Sequence, residues 1–309
     1  MAGNDLKRLT GRDYRSPMSY RSRHGKPRPP REDGIEALVG RIVQELAQVP
    51  GIAAVAVGGS WARGDRDAFS DVDLGLYYDP AGPPAIARLR ALARRLERRP
   101  HPPPPAVTAL GGWGPWIDGG AWLEIEGRRV DWIYRDLSRV ERAIVDDRRG
   151  RISSHYQPGH PHAFHTYIYA GEAYFARIRH DPRGRLEALQ RRTRPYPTAL
   201  RDAIRDAFLW EARFALETAE KSVRRGDVFH VAGSLFRSAA CLVQVLFAAN
   251  RRYFVNEKGS LAATEAFALR PHRFRSRVKR ILSEPGSRPA RLESRLAEMA
   301  TLVREVGDL

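Results

Sequence analysis

The residues best suited to chemistry fall in two short runs, Gly58-Gly59-Ser60-Trp61-Ala62-Arg63-Gly64 and Ser70-Asp71-Val72-Asp73-Leu74. Gly58 and Gly59 close an apolar run at a point where a side chain would block close approach to the backbone. Ser60 is expected to cap a short helix whose free N–H groups and dipole favour an anion. Arg63 adds a guanidinium fork one turn later, suited to phosphate oxygens. Asp71 and Asp73, two apart on a strand, point to one face. Carboxylates so close repel unless a cation sits between them, and a hard ion such as Mg²⁺ is the natural occupant. A phosphate cradle beside a carboxylate pair is the equipment of two-metal phosphoryl transfer. One ion activates an attacking hydroxyl while the other neutralises a leaving pyrophosphate.

A third carboxylate is expected from a neighbouring strand. In Arg128 to Arg135 the apolar face is Val130, Trp132 and Tyr134, which leaves Asp131 on the polar side. That side also carries Asp71 and Asp73 if helices cover the other face. A two-residue turn at Gly127-Arg128 would set Glu124 across from Asp131, making Glu124 an alternative third ligand or an acceptor-side base. An isolated Gly-Gly-Ser is a common turn, and one Asp-x-Asp is usually a solvated edge. The joint spacing carries the reading.

The elements that must hold these groups can be read from periodicity. Ile35, Leu38, Val39, Ile42, Val43 and Leu46 recur at helical spacing, ended by Pro50-Gly51. Strands follow at Ile52 to Val57 and Asp71 to Tyr78, then a helix after Pro83-Pro84. The run 100–105 reads as a stiff connector. A hairpin is expected with arms Ala121 to Glu126 and Arg128 to Arg135, turning at Gly127. Beyond Leu137 the strand signal stops, and helical patterns cover roughly 137–148, 164–178, 198–225, 228–252, 261–269 and 289–306.

Gly-Gly-Ser, a spacer, Asp-Val-Asp on a strand and a later Asp on an adjacent strand resemble the DNA polymerase beta nucleotidyltransferase superfamily. The version Gly-Ser-x-Ala-Arg-Gly, Gly59 to Gly64, is similar to the minimal and antibiotic (aminoglycoside and lincosamide) nucleotidyltransferases, as is the helical second half. The strong motifs span residues 58 to 73 plus Asp131; a looser likeness to bacterial nucleotidyltransferase-domain proteins runs from about Gly34 to Gly259. The resemblance implies an α/β core with a short twisted mixed sheet, followed by an all-α helical bundle. The implied domains are a disordered basic tail at 1–33, a catalytic domain at 34–140 and a helical domain at 141–309, which walls the acceptor and nucleotide cleft. Gly59 and Ser60, with Gly58 and Arg63 beside them, are implied to bind the triphosphate, and Asp71 and Asp73 to bind two Mg²⁺ ions. Asp131 is implied to bind one metal, and whether it also takes the acceptor's proton stays open, since some antibiotic-modifying relatives have Glu there. The implied reaction moves an NMP, AMP from ATP in the first instance, to a hydroxyl.

Weaker signals surround this set. Lys221, on a long helix, and Lys258, in Tyr253 to Gly259, are candidates for reaching the triphosphate; each is also readable as a solvated lysine. His155, His160, His162 and His165 cluster around Pro158 and Pro161 and invite a zinc proposal, yet no cysteine joins them in sequence. Trp113, Trp116 and Trp122 are candidates for stacking on a ring, with sheet-edge packing as the plain alternative.

The 309 residues are 42% hydrophobic, enough for sizeable cores, and the longest uninterrupted apolar runs are too short to span a bilayer. No signal peptide is read at the start of the sequence, and Cys241, the only cysteine, reads as a buried thiol in a reducing cytoplasm. The net charge of +17 predicts attraction to polyanions, nucleic acid or a nucleotide's triphosphate. Residues 1–33 carry nine lysines and arginines with several prolines and few aliphatics, so a solvated tail or an RNA-binding arm is expected there. Three acceptor readings compete: a small molecule such as a cationic antibiotic, a macromolecule (RNA or a protein side chain), or an inactive member that binds nucleotide or RNA without turnover. An acidic cleft near Glu124, Glu126 and Glu257 favours the first; a continuous basic path favours RNA.

Overall fold

The computed structural model of the chain describes residues 32–64, 70–97 and 107–309. The tail expected at 1–33, up to residue 31, and the connector at 100–105 lie outside the described residues. The chain divides into two compact units, Met1–Leu38 and Val39–Leu309. The described part of the first is the opening of helix α1 (Glu32–Leu46).

The second unit is built on a five-stranded mixed sheet, ordered β3 (Gly120–Ile125), β4 (Arg128–Asp136), β2 (Val72–Tyr78), β1 (Ala54–Val57) and β7 (Arg177–His180). β2 and β4 run parallel, and the other neighbours pair antiparallel. Period-two alternation sets the two faces. Val72, Leu74 and Leu76 of β2 and Val130, Trp132 and Tyr134 of β4 are at most 1% exposed. On the opposite face Ala54 and Ala56 of β1 and Tyr77 of β2 join one hydrophobic cluster with the helical half. Asp73 shares that second face with Tyr77, so the helices that bury the tyrosine also wall in the aspartate's end of the sheet.

Three departures from the sequence reading matter. The strand signal does not stop at Leu137: β5 (Ser154–His155) pairs with β6 (Phe164–His165), and β7 closes an edge of the main sheet. The 34–140 segment therefore does not complete its own sheet. The hairpin turn is Glu126-Gly127, with φ of +52° and +73° at its two residues. Positive φ at both central positions is what a two-residue turn between right-twisted strands requires. The register moves by two: Trp122, not Glu124, stands across from Asp131, and Glu124 pairs with Arg129.

Between the strands lie α2 (Gly59–Arg63), α3 (Ile86–Glu97), α4 (Leu137–Asp147) and α5 (Ile168–Phe175). Asp136 ends β4 and starts α4 in one step, its carboxylate accepting from Ser138 N at 2.8 Å and Arg139 N at 3.2 Å. After β7 come α6 (Arg185–Arg192), α7 (Thr198–Arg224), α8 (Val228–Ala249), α9 (Ser260–Ala263), α10 (Phe274–Ser283) and α11 (Pro289–Gly307). α7 and α8 pack along each other and α11 lies against both. By length and composition α8 is apolar enough to cross a membrane. Here Val231, Leu235, Leu242 and Leu246 are fully buried among the neighbouring helices, the place of a core helix.

Candidate active site

Asp73 and Asp131 occupy directly paired positions on the parallel strands β2 and β4. Asp71 precedes β2 by one residue. Burial first, and the charge of Asp71 next, push the Asp73 carboxyl up to about 6 against the pull of Arg63. Burial, then Asp73 and Asp71, push that of Asp131 up to about 7, with Arg129 and Lys258 opposing. At Asp73 and Asp131, burial and mutual repulsion thus outweigh the nearby positive charge. An all-oxygen set of this kind suits a hard divalent cation, and Mg²⁺ fits it.

The glycine turn is fitted to the acids. Gly58 N–H donates to the Asp73 carbonyl at 2.8 Å. Gly59 has φ of +56°, and a Cβ there would stand 1.7 Å from Asp73 Oδ2. Only glycine lets the chain pass so close to the carboxylate. α2 starts at Gly59 with Gly58, in extended conformation, as its cap residue. Ser60 is therefore not the cap: the helix begins two residues earlier than expected, leaving Ser60 in its first turn. Arg63 closes the helix, and the residues 65–69 of the spacer lie outside the described residues.

A cleft opens beside these groups, with Gly59, Arg63 and Asp73 on one side and Glu172 and Asn256 from the helical half on the other. At its base Arg135 is 4% exposed and grips Glu172 with two bonds, Nε to Oε2 at 2.6 Å and Nη2 to Oε1 at 2.7 Å. Lys258 reaches this region, since its charge bears on both Asp73 and Asp131. Lys221 is exposed in the last turn of α7 and is not among the cleft's lining residues. Glu124 lies beyond Asp131 along the hairpin, its N–H bonded to Glu97. Of the acids whose clustering would favour a cationic acceptor, Glu126 pairs with Arg41 at 2.7 Å and Glu257 with His160 at 3.0 Å. Trp113 stacks on Trp122 at 4.1 Å, whereas Trp116 stacks on His155 and lies against Phe164.

The family described as nucleotidyltransferase domain matches residues 39–103, the stretch that holds the glycine turn, Asp71 and Asp73. The glycine turn and the Asp71–Asp73 pair thus lie within a stretch that matches a nucleotidyltransferase domain. Residues 171–258 match a domain of unknown function, DUF4037. Among solved structures, the chain is similar to a nucleotidyltransferase-like protein from Exiguobacterium sibiricum 255-15, at 13% identity and a TM-score of 0.42, over 89% of this chain and 77% of that one. No curated protein shows significant sequence similarity to the chain.

The nucleotidyltransferase match ends before Asp131, Arg135 and Glu172, so this part of the site rests on the geometry alone. Sequence reasoning missed the Arg135–Glu172 pair. The parity that puts Asp131 on the site face puts Arg135 there too, four residues on. Nothing local to Glu172 marks it, because its partner lies 37 positions away.

Proposed function

We propose that this nucleotidyltransferase moves a nucleoside monophosphate, AMP first of all, from a nucleoside triphosphate to a hydroxyl of a small, ring-bearing acceptor and releases pyrophosphate. The pairing of Asp73 with Asp131 across β2 and β4, against a backbone that only Gly59 allows, is the observation that carries this reading. Asp71, Asp73 and Asp131 would hold Mg²⁺, two ions in the reading from sequence. When bound it supplies charge neutralisation at the phosphates and at the attacking oxygen. Ser60 and Arg63 bind the triphosphate from the glycine turn, and Lys258 approaches from the helical half. Asp131 takes the acceptor's proton, for which a carboxyl near neutrality is suited.

Trp122 favours the small ring-bearing acceptor. It faces Asp131 across the hairpin, is 46% exposed and is backed by Trp113. A flat indole pair beside the proton-accepting carboxylate is a platform for a ring, worth about 0.5–1.5 kcal/mol beyond the area it covers. RNA is the second reading, favoured by the net charge of +17. The test is to incubate the protein with α-labelled ATP, GTP, CTP or UTP and a cell extract, then size the labelled product. Label in small molecules, lost or reduced in Trp122→Ala, supports the first reading. Label in nuclease-sensitive polymer overturns it in favour of the second.

A further inference from the structure

The histidine tract that sequence left without a cysteine acquires one in three dimensions. His162 points Nε2 between the two long helices, 3.6 Å from Cys241 Sγ on α8 and 3.5 Å from Glu211 Oε1 on α7. The three ligand atoms all lie within 4.8 Å of one another. We propose that His162, Glu211 and Cys241 form a second metal site, for a borderline-soft divalent cation of the zinc type, distinct from the oxygen-only site at Asp71, Asp73 and Asp131.

Geometry, burial and charge balance each support it. With Zn–N near 2.0 Å and Zn–S near 2.3 Å, adjacent ligands of a tetrahedral ion sit roughly 3.3–3.7 Å apart, so the two distances from His162 already match. The His162 side chain is 1% exposed and Cys241 is fully buried. Glu211 Oε1 is buried between His162 Nε2 and Arg237 Nε, the latter 2.5 Å away. One thiolate and one carboxylate cancel a dication, so the occupied site buries no net charge. Three protein ligands leave a fourth position for water, the arrangement of an open rather than a closed zinc site. Access is through the groove lined by Glu211, Ser234 and Arg237, where Arg237 would exchange Oε1 for solvent.

The remaining histidines are otherwise engaged: His160 with Glu257, His165 with Ser154 Oγ at 2.8 Å, and His155 with Ser153 and Trp116. The His162 N–H also bonds Glu257 Oε1 at 3.3 Å, one residue before Lys258. The ion would therefore clamp the tract to α7 and α8 and steady the segment that carries Lys258 to the carboxylates.

Titrating the full-length protein with Co²⁺ in excess Mg²⁺, which occupies the hard carboxylate site, tests this. Cys241 is the only cysteine, so a thiolate-to-cobalt charge-transfer band reports that residue alone. The expected result is one equivalent of Co²⁺ with that band, displaced by Zn²⁺ and retained in Asp73→Asn. Cys241→Ser should lose the band, and His162→Gln should weaken binding by more than the about 10–100-fold typical of losing a mere supporting residue. Absence of the band in the wild-type protein at saturating Co²⁺ overturns the proposal, whatever the variants do. So does its loss in Asp73→Asn.

Discussion

Asp73 and Asp131 face each other across two parallel strands, and after burial itself the charge of Asp73 is what most lifts the Asp131 carboxyl. The fold thus holds these acids in a place where they resist ionising. That has a measurable consequence for pH. An acid whose folded pKa lies above its ordinary 3.8 favours the folded state while protonated. That contribution is complete below about pH 4 and is lost as pH rises through about 6 and about 7. The metal-free protein should therefore lose melting temperature across this window relative to an Asp73→Asn, Asp131→Asn double variant. Mg²⁺ should raise the wild-type melting temperature more at pH 8 than at pH 5.5. Parallel pH profiles for wild type and double variant would contradict the electrostatic account.

Removing one acid should separate activity from stability. Asp71→Ala and Asp73→Asn are expected to abolish transfer while the metal-free melting temperature stays equal or rises, because repulsion is relieved. Asp131→Asn should lower kcat by about 10²–10⁴-fold, the usual contribution of a general base, with nucleotide affinity largely kept. Titration calorimetry with a non-hydrolysable NTP beside the kinetics checks both halves.

Gly59→Ala tests the close approach. Its φ of +56° and the 1.7 Å clash with Asp73 Oδ2 require either the turn or the carboxylate to move. Strained backbone of this kind costs about 1–3 kcal/mol. A fall in melting temperature with loss of transfer is expected; a variant with wild-type kinetics would mean the turn does not constrain Asp73.

The Arg135–Glu172 pair joins the sheet to the helical half at the base of the cleft. Glu172→Ala strands a guanidinium that is 4% exposed, and breaking such a pair costs about 3–5 kcal/mol. Replacing both with Met should recover much of that loss, because no buried charge is then left alone. Chemical denaturation of the two variants decides it.

Acceptor contacts should follow the observed hairpin register. Trp122→Ala is expected to raise the acceptor KM with little change in that for the nucleotide, and Glu124→Gln to change neither greatly. A large acceptor effect from Glu124→Gln alone would favour the acidic contact read from sequence.

Much of the site was legible because period-two alternation needs only neighbours. It put Asp71 and Asp73 on one face and Asp131 on the matching one. Glu124 was misplaced because a turn was assigned to Gly127-Arg128, while the chain spends positive φ on Glu126, a residue type that gives no such warning. β7 was invisible because Arg177-Ile-Arg-His carries a single aliphatic and gains its place only by pairing with β1. The meeting of His162 with Cys241 joins positions 79 apart, and a local pattern holds no trace of it.

The most direct test of the central claim is a label-transfer assay with α- and γ-labelled ATP in Mg²⁺, run on wild type and Asp73→Asn. The account predicts that α-label enters an acceptor product, that γ-label leaves only as pyrophosphate, and that Asp73→Asn forms no product. Transfer of the γ-label to the acceptor, or undiminished α-transfer by Asp73→Asn, would contradict it.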